Sequence, residues 1–150
     1  MEALDLMTHA LTTVAADLPI RQAHELMLKM TARHLPVVKG ARLIGILSDR
    51  DILLRVGRTD DGFVYPNLCV SDLMTPAPLT AGPHTPIPEL ATLLLEYKID
   101  ALPIVTGEAT LVGLVTSSDL LRVVAALPYD SKVSVPPRNE PGLQGERATD

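Results

Sequence analysis

The sequence predicts an α/β (α+β) fold in which two β-α-β-β-α repeats, related by a pseudo-twofold axis, pack sheet to sheet. Three observations carry this expectation. The chain repeats itself: "LMT" at Leu6 to Thr8 returns at Leu73 to Thr75, and "RHLPVV" at Arg33 to Val38 returns as "DALPIV" at Asp100 to Val105, each displaced by 67 residues. After one extra residue in the second turn, "GILSDRD" at Gly45 to Asp51 returns as "GLVTSSD" at Gly113 to Asp119, displaced by 68. The helical pattern repeats in the same register, because Ala23, Leu26, Met27 and Met30 share one face and the positions 67 further on are Leu90, Leu93, Leu94 and Tyr97. Finally, a unit of roughly 55 residues is small for a core of its own, so two such units are expected to bury their apolar faces against each other.

The elements follow in order. A short strand is expected at about Leu11 to Val14, then a helix opened by Pro19, whose fixed φ and missing donor are tolerated at a helix start. The apolar run "LPVV", the turn "KGAR" and the run "LIGILS" predict a hairpin, and "DRDILLRV" a second helix. The stretch "GRTDDGFVYPNL" is polar and rich in turn residues, and it holds the only Phe; it is read as a linker. The second copy runs from a strand at Leu79 through a helix capped by Thr85 and opened by Pro86. Then come "LPIV", the turn "TGEAT", "LVGLVT" and the helix "SDLLRVVAA". The expected division is therefore a first repeat over 1–57, a linker over 58–70, a second repeat over 71–127, and a tail over 128–150. The tail is poor in apolar residues and rich in Pro, Gly and charge, so disorder is expected there.

Composition narrows the function. With 150 residues, 47% of them hydrophobic, the chain can bury a real core. A net charge of −5 argues against a protein that coats nucleic acid, which needs a basic stripe. The single cysteine, Cys69, excludes an internal disulfide framework and is read as core filler between Leu68 and Val70. His9, His24 and His84 show no ligand spacing, so no metal site is expected. The amino terminus, with Glu2 and Asp5, lacks the basic start of a secretory signal, and no apolar run reaches the roughly 18 residues of a membrane span. A soluble, cytoplasmic protein is expected. No nucleophile is paired with a base and no phosphate-cradling glycine loop is present, so no catalytic residues are assigned.

The junction after the second strand of each repeat carries the chemistry. It places a hydroxyl and a carboxylate three residues apart, Ser48 with Asp51 and Thr116 with Asp119. That spacing suits a helix cap, and an isolated copy leaves the cap and ligand readings open. Its duplication in a matched frame favours ligand contact. Asp49, whose counterpart is Ser117, is read as capping or solvent-facing.

On "LMT", "RHLPVVKGARLIGILSDRD" and their second copies, over about Leu4 to Ala126, the chain resembles a tandem pair of cystathionine-β-synthase (CBS) domains, the Bateman module. It is similar to stand-alone bacterial CBS-pair proteins, including the acetoin-utilisation type. The resemblance implies a regulatory module that binds adenosine-containing ligands in clefts between the repeats: AMP, ADP, ATP, S-adenosylmethionine or another adenosyl compound. No cofactor is required, although Mg would accompany ATP. It also implies a homodimer acting on an unknown regulated protein, with no nucleic-acid or membrane partner.

The resemblance further implies that each site mixes the repeats. One would combine Ser48, Arg50 and Asp51 with Ile99, Asp100 and Ala101; the other Thr116, Ser118 and Asp119 with Ala32, Arg33 and His34. In this reading the carboxylate accepts both ribose hydroxyls, while the hydroxyl residue and the first amides of the next helix meet a phosphate. The segment entering the "LP" strand of the other repeat holds the base. Arg50 brings a guanidinium where the second copy has Ser118, so the sites are expected to differ. The alternative is a dimerising interaction scaffold with degenerate, non-binding clefts.

Overall fold

The computed structural model describes residues 1–128. The tail assigned to 128–150 therefore lies outside the described residues, Pro128 apart. In chain order the elements are α1 (Ala3–Leu6), α2 (Ile20–Met30), β1 (His34–Lys39), β2 (Arg42–Ser48), α3 (Asp49–Leu53), β3 (Gly57–Thr59) and β4 (Gly62–Val64). They continue with α4 (Val70–Leu73), β5 (Thr75–Pro76), α5 (Ile87–Tyr97), β6 (Ala101–Thr106), β7 (Thr110–Thr116) and α6 (Ser117–Ala125). This is the mixed α+β fold of two repeats that the sequence predicts.

The repeat is reproduced down to its irregularities. Helices α2 and α5 are both 11 residues long, are preceded by Pro19 and Pro86, and end on a left-handed residue, Thr31 at φ 54° and Lys98 at φ 52°. Each hairpin slips by one residue at the same place, between Val37 and Val38 in β1 and between Ile104 and Val105 in β6. The two hairpins join at their turn ends, where Arg42 lies opposite Thr110. There Leu43 N–H donates to Ala109 O at 2.9 Å and Leu111 N–H donates to Ala41 O at 3.0 Å. The strands expected at Leu11 to Val14 and at Leu79 form only single parallel bridges, Val14 to Val37 and Ala81 to Ile104.

Each repeat buries its own sheet face and helix, but completes its core with a segment from the other. Val14, Ala23, Met27, Leu35, Val37, Leu47 and Ile52 pack with Val70, Leu73 and Met74, at the start of the second repeat. Leu90, Leu94, Leu102, Ile104 and Val115 pack with Ala3, Leu6 and Met7, which open the first. The two glycines of the repeated strand make room for this crossing. A Cβ on Gly45 would stand 2.5 Å from Met74 Sδ, and one on Gly113 would collide with Met7 Sδ. The "LMT" motif is thus a strap that each half lays across the other.

Two expectations change. The fourth members of the helical stripes, Met30 and Tyr97, are 46% and 59% exposed. They lie in the last helical turn, immediately before the left-handed residue that swings the chain away, so this turn overhangs the core. The linker is also structured: β3 and β4 form a hairpin turned at Gly62, whose φ of 119° suits glycine. Phe63 and Tyr65 pack edge-on against the buried His24, and the Tyr65 hydroxyl meets His24 Nδ1 at 2.6 Å. This aromatic cluster clamps the hairpin to α2.

Candidate functional site

Where β2 runs into α3, Ser48 and Asp51 form a reciprocal capping box. Asp51 N–H donates to Ser48 Oγ at 3.1 Å, and Ser48 N–H donates to Asp51 Oδ2 at 2.8 Å. Thr116 and Asp119 repeat it between β7 and α6, with the Thr116 N–H donating to Asp119 Oδ2 at 2.8 Å. The cap therefore exists in both halves, and it uses one carboxylate oxygen of each Asp. In the first repeat the other oxygen, Asp51 Oδ1, has no protein partner among the described residues.

A cleft of about 250 Å³ opens over this junction. It is lined by Ser48, Arg50 and Asp51 from one repeat and by Ile99, Asp100 and Ala101 from the other. All six residues expected at this site thus share one cavity. Arg33, His34, Asp49, Ile46, Thr75 and Lys98 complete the wall. Lys98 escaped the sequence reading because its signal is a backbone one: it is the left-handed residue that ends α5. Asp49, read as capping or solvent-facing, lines the cleft, accepts the Arg50 N–H at 2.8 Å and stands 3.8 Å from Arg33 Nε.

The pseudo-symmetric cleft, about 300 Å³, is lined by Ala32, Arg33 and His34 together with Thr116 and Ser118. Thr8, Thr12, Thr31 and Arg122 also face it. Asp119 does not line this cleft; it lines a separate cavity with Met1, Leu6 and Leu127. Arg122 holds it there, donating from Nη1 to Asp119 Oδ1 at 2.6 Å, and lines both that cavity and the second cleft. At the matching place in the first repeat stands Leu54.

The expected helix amides are only partly available. In α3 the Asp49 N–H donates to Arg33 O at 2.9 Å, while the Arg50 and Asp51 amides are held by Asp49 and Ser48 side chains. An anion in the first cleft must rely on side-chain cations, and Arg33, Arg50 and Lys98 surround it. In α6 the Ser117 N–H donates to Asp100 O at 3.0 Å.

Arg33, His34 and Asp100 belong to both clefts, so the two cavities adjoin along the chain entering β1. His34 is half-buried there, and burial holds its imidazole below the ordinary value, against the opposing pull of Asp49 and Asp100. Among the described residues no group of three or more metal-ligating side chains occurs, and no helix is long and apolar enough to cross a membrane.

Comparison with known proteins places this architecture. The CBS domain family matches twice, over residues 3–58 and 70–126. The chain belongs to the CBS-domain family and carries two CBS domains as a pair. Over 108 residues it is 34% identical to the inosine-5'-monophosphate dehydrogenase of Korarchaeum cryptofilum, covering 72% of this chain but only 21% of that enzyme. The CBS-pair protein CBSX2 of Arabidopsis thaliana, solved in complex with AMP, superposes with a TM-score of 0.72 at 28% identity, covering 83% of this chain and 96% of that one. A putative acetoin utilization protein (AcuB) from Vibrio cholerae superposes with a TM-score of 0.70 at 26% identity, covering 83% and 90%.

Proposed function

We propose that the protein is a regulatory ligand-sensing module that binds adenosine-containing nucleotides in the two clefts between its CBS repeats. One observation carries the reading. A junction offering a hydroxyl and an unpaired carboxylate oxygen from one repeat faces the chain entering the "LP" strand of the other, and cations surround the space between them. The free Asp51 oxygen suits a ribose diol, Arg50, Arg33 and Lys98 suit phosphates, and Ile99 to Ala101 suit the edge and face of a base. In the second cleft Thr116 and Ser118 take the sugar and phosphate roles, and Ala32, Arg33 and His34 the base. Asp119 is the ribose carboxylate there once Arg122 releases it. AMP, ADP, ATP and S-adenosylmethionine are the candidate ligands, with Mg accompanying ATP.

The reading is regulatory and not catalytic, since what the clefts supply is recognition: hydrogen-bond acceptors, cations and apolar walls. The AMP complex of CBSX2 supports this choice of ligand class. Its cytoplasmic setting and the regulated protein remain parts of the same proposal.

A homodimer belongs to it as well. Leu28 and Leu95 stand at matching positions of α2 and α5, Leu53 and Leu121 at matching positions of α3 and the helix after β7, and all four are exposed. Duplicated exposed leucines in one register suit a partner that shares the pseudo-twofold symmetry, as a second copy does.

Thermal unfolding of ligand-free protein with each nucleotide tests the reading. Ligand at a hundred times its dissociation constant stabilises by about 2.7 kcal/mol, a shift of several degrees. No shift with any adenosyl compound would leave the scaffold alternative in its place.

A further inference from the structure

We propose that Arg122 sets the ligand specificity of the second cleft, closing it to nucleosides that lack a phosphate. The inference rests on the nucleotide reading above and deepens it. Both carboxylate oxygens of Asp119 are engaged: Oδ2 takes the Thr116 N–H and hydroxyl, both at 2.8 Å, and Oδ1 takes Arg122 Nη1 at 2.6 Å. The carboxylate side chain is 12% exposed and absent from the cleft wall, whereas the Arg122 side chain is 75% exposed and lines it. The second cleft is therefore lined by Arg122, which also lines the cavity holding Asp119, where the first cleft is lined by the carboxylate residue Asp51 itself.

An exposed ion pair one helical turn apart is weakly held. A phosphate in the second cleft, which also offers the Ser118 hydroxyl, competes for the guanidinium with a bidentate, charge-assisted contact. Once Arg122 turns to the phosphate, Asp119 Oδ1 is released to accept the ribose hydroxyls. A nucleoside without a phosphate has nothing to draw Arg122 away and meets a blocked acceptor. In the first cleft Leu54 occupies the corresponding place and Asp51 Oδ1 is already free, so that cleft has no such lock. The two clefts then divide the ligands: the first admits adenosyl compounds with or without a phosphate, and the second admits only phosphorylated ones.

Titration calorimetry on the full chain reads this directly, with AMP and adenosine as probes. In an Asp51→Ala background, which silences the first cleft, AMP is expected to bind at least about tenfold tighter than adenosine, the discrimination that one hydrogen bond to a charged group commands. Adding Arg122→Leu should weaken AMP and strengthen adenosine, bringing the ratio towards one. Should Asp51→Ala not fold, the amide resonances of Arg50 and Ser118, which line the first and the second cleft respectively, report the two clefts separately in otherwise wild-type chain, with and without Arg122→Leu. An AMP-to-adenosine ratio at the second cleft that Arg122→Leu leaves unchanged overturns the inference while the nucleotide reading stands. Failure of wild-type protein to bind either probe overturns the inference, and failure with ADP, ATP and S-adenosylmethionine as well removes the nucleotide reading with it.

Discussion

At the scale of single residues, Asp51 and His34 carry the sharpest consequences. Asp51 has two duties, the cap of α3 through Oδ2 and a place in the wall of the first cleft. Asp51→Ala should cost roughly 1 kcal/mol of stability as a lost cap and about 1.5 to 3 kcal/mol of nucleotide affinity as a lost charge-assisted hydrogen bond. Asp51→Asn keeps an acceptor for the Ser48 amide, so denaturation and calorimetry on the two variants should separate the duties. His34 titrates in the opposite sense to a histidine that gains an acidic partner. Burial lowers its folded value below the unfolded one, so the fold favours the neutral ring. Its contribution is fully present above the unfolded value near 6.5 and is lost as pH falls through the lower folded value. Urea midpoints measured from pH 7.5 down to 5 should fall more steeply for the wild type than for His34→Gln; parallel curves would contradict this. The sequence pointed to both residues, because each sits in a repeated motif. Lys98 and Arg122 it did not mark, since an exposed cation at a helix end or one turn inside a helix looks like any solvated side chain.

Among the elements, the exchanged straps are what the sequence concealed. Its periodicity showed that the helices and hairpins have apolar faces and that "LMT" recurs, but an apolar face does not say which core it will meet. Val70, Leu73 and Met74 complete the first core, and Ala3 and Met7 the second. The β3–β4 hairpin escaped notice for a different reason: its strands are exposed, so they leave no alternating pattern, and it is held by Phe63 and Tyr65 on His24. A division of the chain at the linker should therefore yield fragments with incomplete cores. A fragment covering 1–58 should stay unfolded by circular dichroism, whereas one covering 10–76, which retains α4 and β5, should hold more structure. Equal behaviour of the two would show that the strap adds little. Within the intact chain, Val70→Ala removes two buried methyl groups from a fully enclosed position, and Gly113→Ala presses a Cβ against Met7. Each should destabilise by about 1 to 3 kcal/mol, measured by chemical denaturation.

For the whole molecule, the crossed straps mean that the clefts and the cores are built from the same exchange. Thr8 and Thr75, the last residues of the two straps, line the second and first cleft respectively, while Met7 and Met74 beside them lie on Gly113 and Gly45. A ligand that pulls the two repeats together over one junction must load the strap beneath it, which reaches into the other repeat. Binding at one cleft is thus expected to change affinity at the other by a coupling that is the same in both directions. The outward route runs through the helices. α3 and α6 start at the cleft junctions and carry the exposed Leu53 and Leu121, and Leu53 shares a surface cavity with Leu28. If these leucines bury against a second copy, Leu28→Asp combined with Leu95→Asp should shift the protein from dimer to monomer in sedimentation velocity without unfolding it, because neither side chain belongs to either core. The same double variant should retain nucleotide binding at both clefts, whose linings contain neither residue. Any cooperativity that survives in the monomer then travels through the straps, and any that disappears travels through the dimer.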